Sequence, residues 1–278
     1  MKVFRIIVLI AFIFVSVASA TVFISEKLAV DKTIPVITVE EESIEVSLKA
    51  TDEELLKGVT AHDEKDGDLT DKIIVESISR FIEKGVSKVT YAVCDRNNNV
   101  AKATRTIKFK GYESPRFQVV DNLCFSLYEH IDIREHILAS DSLEGNIKSN
   151  IIVTSDDYGT SVAGAFSLNV TVTNSKGDTS TIKLPLIVED RPLSVPTIEL
   201  KEYLVYTKKG KTVNFKSYLV DAWDIVETPD NEKISLKDKV IVESNVDFKT
   251  PGIYNVHYYV TNSLGLRGHS VMTVIVEE

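Results

Sequence analysis

The sequence predicts an all-β protein: three tandem Ig-like β-sandwich domains after one N-terminal hydrophobic helix. Two repeated features and one singular run predict it. Pro35, Pro115 and Pro196 recur at separations of 80 and 81 residues, and each opens a short apolar strand. Each of the three units then ends in two alternating strands joined by a turn that starts with Asp or Asn. The longest apolar run lies before the first unit, so its helix is set apart from the repeats. A repeat of this length marks one supersecondary unit copied along the chain.

The helix comes first. Lys2 and Arg5 precede an uncharged run from Ile6 to Ile24, 19 residues long. A helix of about 20 apolar residues spans a hydrocarbon core, and basic residues at its start stay cytoplasmic. The same segment also reads as a cleaved signal peptide, with Ala18-Ser19-Ala20 as its small-residue cleavage site. Residues 1–27 are therefore either a signal anchor or a signal peptide, and both export the rest of the chain. The expected setting is a single-pass membrane protein with an extracellular C-terminal region, or else a secreted protein.

The first unit, residues 31–110, opens at Pro35-Val36-Ile37 and is the fullest copy. Only Glu53–Gly58 hints at a helical turn. Asp63 follows its Pro by 28 residues, and the triplet Ile73-Ile74-Val75 ends 12 residues later. Val89-Thr90-Tyr91-Ala92-Val93-Cys94 alternates, so Val89, Tyr91 and Val93 face inward and Cys94 outward. Asp95 then starts a turn with Asn98 three residues on; Asp first and Gly or Asn fourth suits a type I turn whose exit residue has positive φ. The second unit, residues 115–189, repeats the pattern with Asp141, Ile151–Val153, Leu168–Thr173 and Asn174-Ser175-Lys176-Gly177. The third, residues 195–278, has Asp224, Val240–Val242, Val256–Thr261 and Asn262 through Gly265. Its aliphatic triplet ends 18 rather than 12 residues after the Asp, which places an insertion near Val226–Ser235. About 80 residues can bury one inter-sheet core without a disulfide or a metal. Lys110–Ser114 and Glu189–Val195 are short linkers running into Pro, which predicts a semi-rigid rod.

Composition limits the function classes. Hydrophobic residues make up 44% and charged ones 26%, as in ordinary globular domains. The net charge of −9, with Lys and Arg scattered among carboxylates, argues against nucleic acid as a partner. The two thiols are expected apart, since Cys94 points outward and Cys124 sits nine residues after its Pro at a core position. No Walker loop, dinucleotide fingerprint, Gly-x-Ser-x-Gly elbow or His-Glu-x-x-His motif occurs, and the five histidines are dispersed. An enzyme is not expected.

Two candidate sites remain. Asp63, Asp66 and Asp68, joined by Asp95, form an acidic loop that can offer oxygen ligands to calcium. The same residues also suit capture of loop amides, because Asp or Asn recurs at positions 63 and 95 in every unit. Trp223, with Asp230 and Asn231 in the insertion, suits contact with an extracellular protein or glycan. The competing role for Trp223 is core filling.

Gly58-Val59-Thr60-Ala61-His62-Asp63-Glu64-Lys65-Asp66-Gly67-Asp68-Leu69-Thr70, with Val89 through Asn99, resembles the bacterial surface Ig-like domain family, a module also found in a pesticidal crystal protein. The resemblance is strongest over residues 31–110 and weaker through 115–278, although the first unit departs from that pattern at Cys94 and Asn98. The second keeps Asp141 and Gly145-Asn146-Ile147, while the third keeps Asp224 and Thr261 through Gly265 but lacks the Asp-Gly-Asp. The resemblance implies an Ig-like fold and an extracellular setting without implying a reaction. The function expected is a non-catalytic surface rod that spaces, presents or adheres. A carbohydrate- or protein-binding adhesin acting through its third domain is one alternative, and an accessory module of an extracellular hydrolase is another.

Overall fold

The structure is a computed structural model and describes residues 2–29, 32–154, 161–192, 194–225 and 233–278. It begins with helix α1 (Lys2–Ala29). The window Phe4–Thr21 is long and apolar enough to cross a membrane, and none of it is buried by the rest of the chain. At 1.5 Å per residue a helix of 28 residues reaches about 42 Å, which covers the hydrocarbon core and part of the headgroup layers.

Among the described residues, each repeat then folds seven strands into two facing sheets. The first has β1 (Val36–Val39), β2 (Ser43–Val46), β3 (Val59–Asp63), β4 (Gly67–Asp68), β5 (Ile74–Ile78), β6 (Val86–Cys94) and β7 (Val100–Phe109), with a short helix α2 (Asp52–Leu56) after β2. The second has β8 (Arg116–Val119), β9 (Cys124–Ser126), β10 (Ile137–Asp141), β11 (Gly145–Asn146), β12 (Ile151–Thr154), β13 (Gly164–Thr173) and β14 (Thr179–Glu189). The third has β15 (Thr197–Leu200), β16 (Leu204–Lys208), β17 (Leu219–Ile225), β18 (Lys233–Ser235), β19 (Ile241–Ser244), β20 (Gly252–Thr261) and β21 (Arg267–Glu277). One sheet of each repeat runs β1-β3-β4, β8-β10-β11 or β15-β17-β18, and the other runs β2-β7-β6-β5, β9-β14-β13-β12 or β16-β21-β20-β19. The topology is the same three times. In each, the second strand pairs in parallel with the last, so it closes the sheet that the final hairpin builds.

The alternation in the sequence sets the cores. Val89, Tyr91 and Val93 are buried, as are Leu168, Val170 and Val172, and Val256, Tyr258 and Val260. Apolar side chains on one face of a strand must find a partner layer, and the facing three-stranded sheet supplies it. The closing turns match their residues too. Asn98, Gly177 and Gly265 have φ of +67°, +86° and +77°, a backbone region that Gly, and Asn with less ease, can enter. Cys94 is exposed and Cys124 buried, and both are free thiols.

The helical turn expected over Glu53–Gly58 is α2, capped by Thr51, whose hydroxyl accepts from the Glu54 amide at 3.4 Å. It anchors two buried side chains of the first sandwich. Tyr91 donates its hydroxyl to the carbonyl of Leu55 at 2.6 Å, a bond that recurs in the third sandwich, where Tyr258 donates to the carbonyl of Phe215 at 2.8 Å. Arg105 is 2% exposed, and both its terminal nitrogens donate to the carbonyl of Lys57 at 2.9 Å. Leu184 and Met272 hold the equivalent positions in β14 and β21, since they face Leu168 and Val256 as Arg105 faces Val89. A buried guanidinium is tolerated here because the open end of α2 offers it carbonyls.

By compactness the chain divides into Met1–Gly111 and Tyr112–Glu278, the second unit holding two sandwiches. That pairing departs from a row of separate domains. The second and third sandwiches share one continuous apolar cluster, and β21 is the reason. Its inward residues Met272, Val274 and Val276 fill its own core, but its outward residues His269, Val271 and Thr273 are buried as well, at 5, 2 and 2% exposure. The second sandwich covers them. The corresponding outward positions of β7, Lys102 and Thr104, are exposed.

Candidate functional site

The acidic end of the first sandwich is built by two turns. In the β3–β4 turn, Asp63 Oδ1 accepts from the amides of Lys65 and Asp66, both at 2.9 Å. Asp68 Oδ1 accepts from the amide of Thr70 at 2.9 Å, and the hydroxyl and amide of Thr70 hold that carboxyl below the usual carboxylate range. In the β6–β7 turn, Asp95 Oδ1 accepts from the amides of Asn97 and Asn99 at 2.8 and 2.7 Å. Asp66 links the two, because its Oδ2 accepts from the amide of Arg96 at 2.7 Å. The structure thus brings Asp63, Asp66 and Asp95 to one end of the sandwich.

The second sandwich repeats this network with different residues. Asp141 Oδ1 accepts from the amides of Leu143 and Glu144, Asn146 accepts from Lys148, and Glu144 accepts from the Ser175 amide at 2.7 Å. Asn146 therefore does without charge what Asp68 does with one. Asn174 and Asn262 stand where Asp95 stands, and each donates its side-chain amide to the Asp of the preceding turn: Asn174 to Asp141 at 2.7 Å, Asn262 to Asp224 at 2.8 Å. Asx side chains that capture turn amides thus staple the same end of every sandwich. Among the described residues, no group of three or more His, Cys, Asp or Glu side chains is arranged to hold a metal. Each of the four carboxylates of the first sandwich has one oxygen on a backbone amide, which is the stapling role.

Trp223 lies elsewhere. It is half-buried, pairs across β17 with Thr197 and Ser235, and carries the Lys233 ammonium 4.1 Å over its ring. Its neighbour Ala222, fully buried, is the residue that fills the core. The core-filling role for Trp223 is therefore corrected: strand alternation turns it to the other face, where the equivalent His62 and Ser140 are exposed. There it lines a cleft of about 420 Å³ between the second and third sandwiches, together with Glu129, Arg191, Glu199, Tyr203 and His269. The other contact candidates, Asp230 and Asn231, lie outside the described residues.

The histidines change standing too. His257 and His269 are 12 apart in sequence, yet His257 Nδ1 and His269 Nε2 are 3.0 Å apart, and His269 Nδ1 is 2.7 Å from Glu189 Oε1. Dispersal in the sequence hides this pair. The signal is present in the hairpin: a turn at Asn262 opposes Tyr259 to His269 and sets His257 on the diagonal, within reach on the same face.

Against known proteins, residues 222–276 match the family model described as bacterial surface protein, Ig-like domain. The family resemblance, expected to be strongest over residues 31–110, is shown instead in the third unit. The chain is also 28% identical over 247 residues to the pesticidal crystal protein Cry22Aa of Bacillus thuringiensis, covering 86% of this chain and 33% of that protein. It therefore spans a third of the length of this curated relative. Among solved structures, the lipoprotein BT2262 of Bacteroides thetaiotaomicron is 24% identical over 29% of this chain and 37% of its own, with a TM-score of 0.23. The M60 catalytic domain with CBM51 domains of Clostridium perfringens ZmpB is 16% identical over 89% of this chain and 31% of its own, with a TM-score of 0.24. Superpositions this loose say nothing of a ligand.

Proposed function

We propose that the chain is a non-catalytic, exported surface protein, held at the membrane by α1, whose Ig-like sandwiches act as a spacer or presentation module. The match of residues 222–276 to a bacterial surface domain carries this reading. It is supported by a membrane-length apolar helix with basic residues at its start and by turn carboxylates engaged in structural bonds. Membrane fractionation of cells making the full chain, with mass analysis of its N-terminus, tests it. The expected product keeps residues 1–24, sediments with membranes, and loses its sandwiches to protease added outside the cell. A soluble product beginning at Thr21 would replace the anchor by secretion, and sandwiches protected from external protease would overturn export.

A second reading, adhesion through the third sandwich, is favoured by the place of Trp223. A concave site between two domains, with an indole on one wall and Glu129, Glu199 and Arg191 offering acceptors and donors, has the chemistry that recognises a sugar or a polar peptide. Glycan and matrix-protein arrays probed with the full chain and with Trp223→Ala test this. Binding lost in the variant supports the cleft; equal binding by both chains moves the contact elsewhere.

A further inference from the structure

The outward face of β21 is buried against the second sandwich, and one polar chain crosses that boundary. Glu189, the last residue of β14, meets His269 of β21, which in turn meets His257 of β20. His269 has both ring nitrogens engaged and its side chain is 4% exposed. Its backbone takes part as well: Asn122 of the second sandwich donates to the His269 carbonyl at 2.9 Å and accepts from the Val271 amide at 3.2 Å.

Three residues in a row fix how much charge this chain holds. With one positive charge on the two rings, a single hydrogen lies between His257 Nδ1 and His269 Nε2, and the other nitrogen accepts it. With both rings charged, both facing nitrogens carry hydrogens at 3.0 Å and that bond cannot exist. The surroundings supply little to offset a second charge. From β20, Tyr259 stacks on His269 at 4.3 Å, and the Arg267 guanidinium lies 3.7 Å over the Tyr259 ring. From the second sandwich, Arg191 sits 3.3 Å from Glu189 Oε2 and donates to the carbonyl of Cys124, a buried thiol. Glu243 of β19 faces His257 in register and is the further acid on that side.

We propose that Glu189, His269 and His257 form a pH-sensitive joint that holds the second and third sandwiches in one orientation at neutral pH and loosens it in mild acid. The direction follows from both partners. Burial, and then His269 beside it, push His257 below the ordinary histidine value of 6.5, so the opened joint takes up protons more readily and acid favours it from about that pH downward. The hydrogen bond from His269 holds Glu189 below the ordinary carboxylate value of 4.5, so its contribution is intact above that value and is lost only at lower pH. Loosening therefore begins with His257.

Spin labels at the exposed positions Ser149 and Asp238, introduced as Ser149→Cys and Asp238→Cys in a Cys94→Ser chain held in detergent, test the joint by pulsed distance measurement. The distribution is expected to be narrow at pH 7.5, to broaden at pH 5.5 and to narrow again on return. His257→Gln, which keeps a polar partner without a titrating ring, should stay narrow at both pH values. Glu189→Gln, which leaves His269 a neutral partner, should move the midpoint upward by about one pH unit. An unchanged distribution in the parent chain between pH 7.5 and 5.5, or the same broadening in the His257→Gln chain, overturns the proposal.

Discussion

Asp95 shows how much of a turn one side chain can hold. Its Oδ1 captures two amides, and its Oδ2 accepts from the side-chain amide of Asn99 at 2.7 Å. Asn262 likewise captures two amides in the third sandwich, and Asn174 accepts from the Asp178 amide in the second. Asp95→Ala leaves the amides of Asn97 and Asn99 without their acceptor and is expected to cost about 1–3 kcal/mol in a urea melt, whereas Asp95→Asn should cost under about 1 kcal/mol. Because turn amides already engage Asp63, Asp66, Asp68 and Asp95, calcium at millimolar level should leave the melting curve where chelator leaves it; a clear rise would show that the ion displaces those amides. Arg105 is not legible in the sequence, because a charged residue within an alternating strand reads as solvent-facing. Only the carbonyls at the end of α2 make its burial possible. Arg105→Met, the residue at the same place in the third sandwich, should destabilise the first by about 2–4 kcal/mol, since it removes the charge-assisted bonds and leaves the carbonyl of Lys57 short of partners.

The elements are the most legible part. Period-two alternation, a Pro at each opening and an Asx-led turn at each close are local signals, and the strands, hairpins and positive-φ turns come from them. Alternation alone predicts that one face of β21 lies in water, yet both faces are buried. The clue is one of composition: Gly268, His269, Ser270 and Val271 include no lysine, whereas β7 carries Lys102 on its outward face. A close approach also fixes this strand. A Cβ on Gly268 would lie 2.1 Å from the Pro196 carbonyl oxygen, so β15 and β21 can meet there only without a side chain. Gly268→Ala is expected to displace β15 and lower stability by about 1–3 kcal/mol, read as a lower urea midpoint, while Gly265→Asn, in an open turn, should be nearly neutral.

For the whole molecule, the order of parts is readable but the packing between them is not. Short Pro-bounded linkers suggest a row of separate domains, and nothing in a linker tells whether its neighbours press together. What decides it is the chemistry of outward faces: Val271 and Ile275 on β21 need cover, while Lys102 and Lys108 on β7 do not. The candidate sites divide the same way. The amide-capturing Asp residues are local and recur by position, so they stand out, whereas the cleft beside Trp223 and the His257–His269 pair exist only once strands and domains meet.

The parallel closing strand has a mechanical meaning. A chain pulled from its two ends draws the second strand of each sandwich by its start and the last by its finish, and because those strands are parallel the load runs along them. Their bonds must then fail together rather than unzip one at a time. The register spans four residue pairs for β2 with β7, three for β9 with β14 and five for β16 with β21. Single-molecule stretching should accordingly give three rupture events per chain. The weakest belongs to the second sandwich and the strongest to the third, so the part farthest along the chain from α1 would be the last to give way under drag.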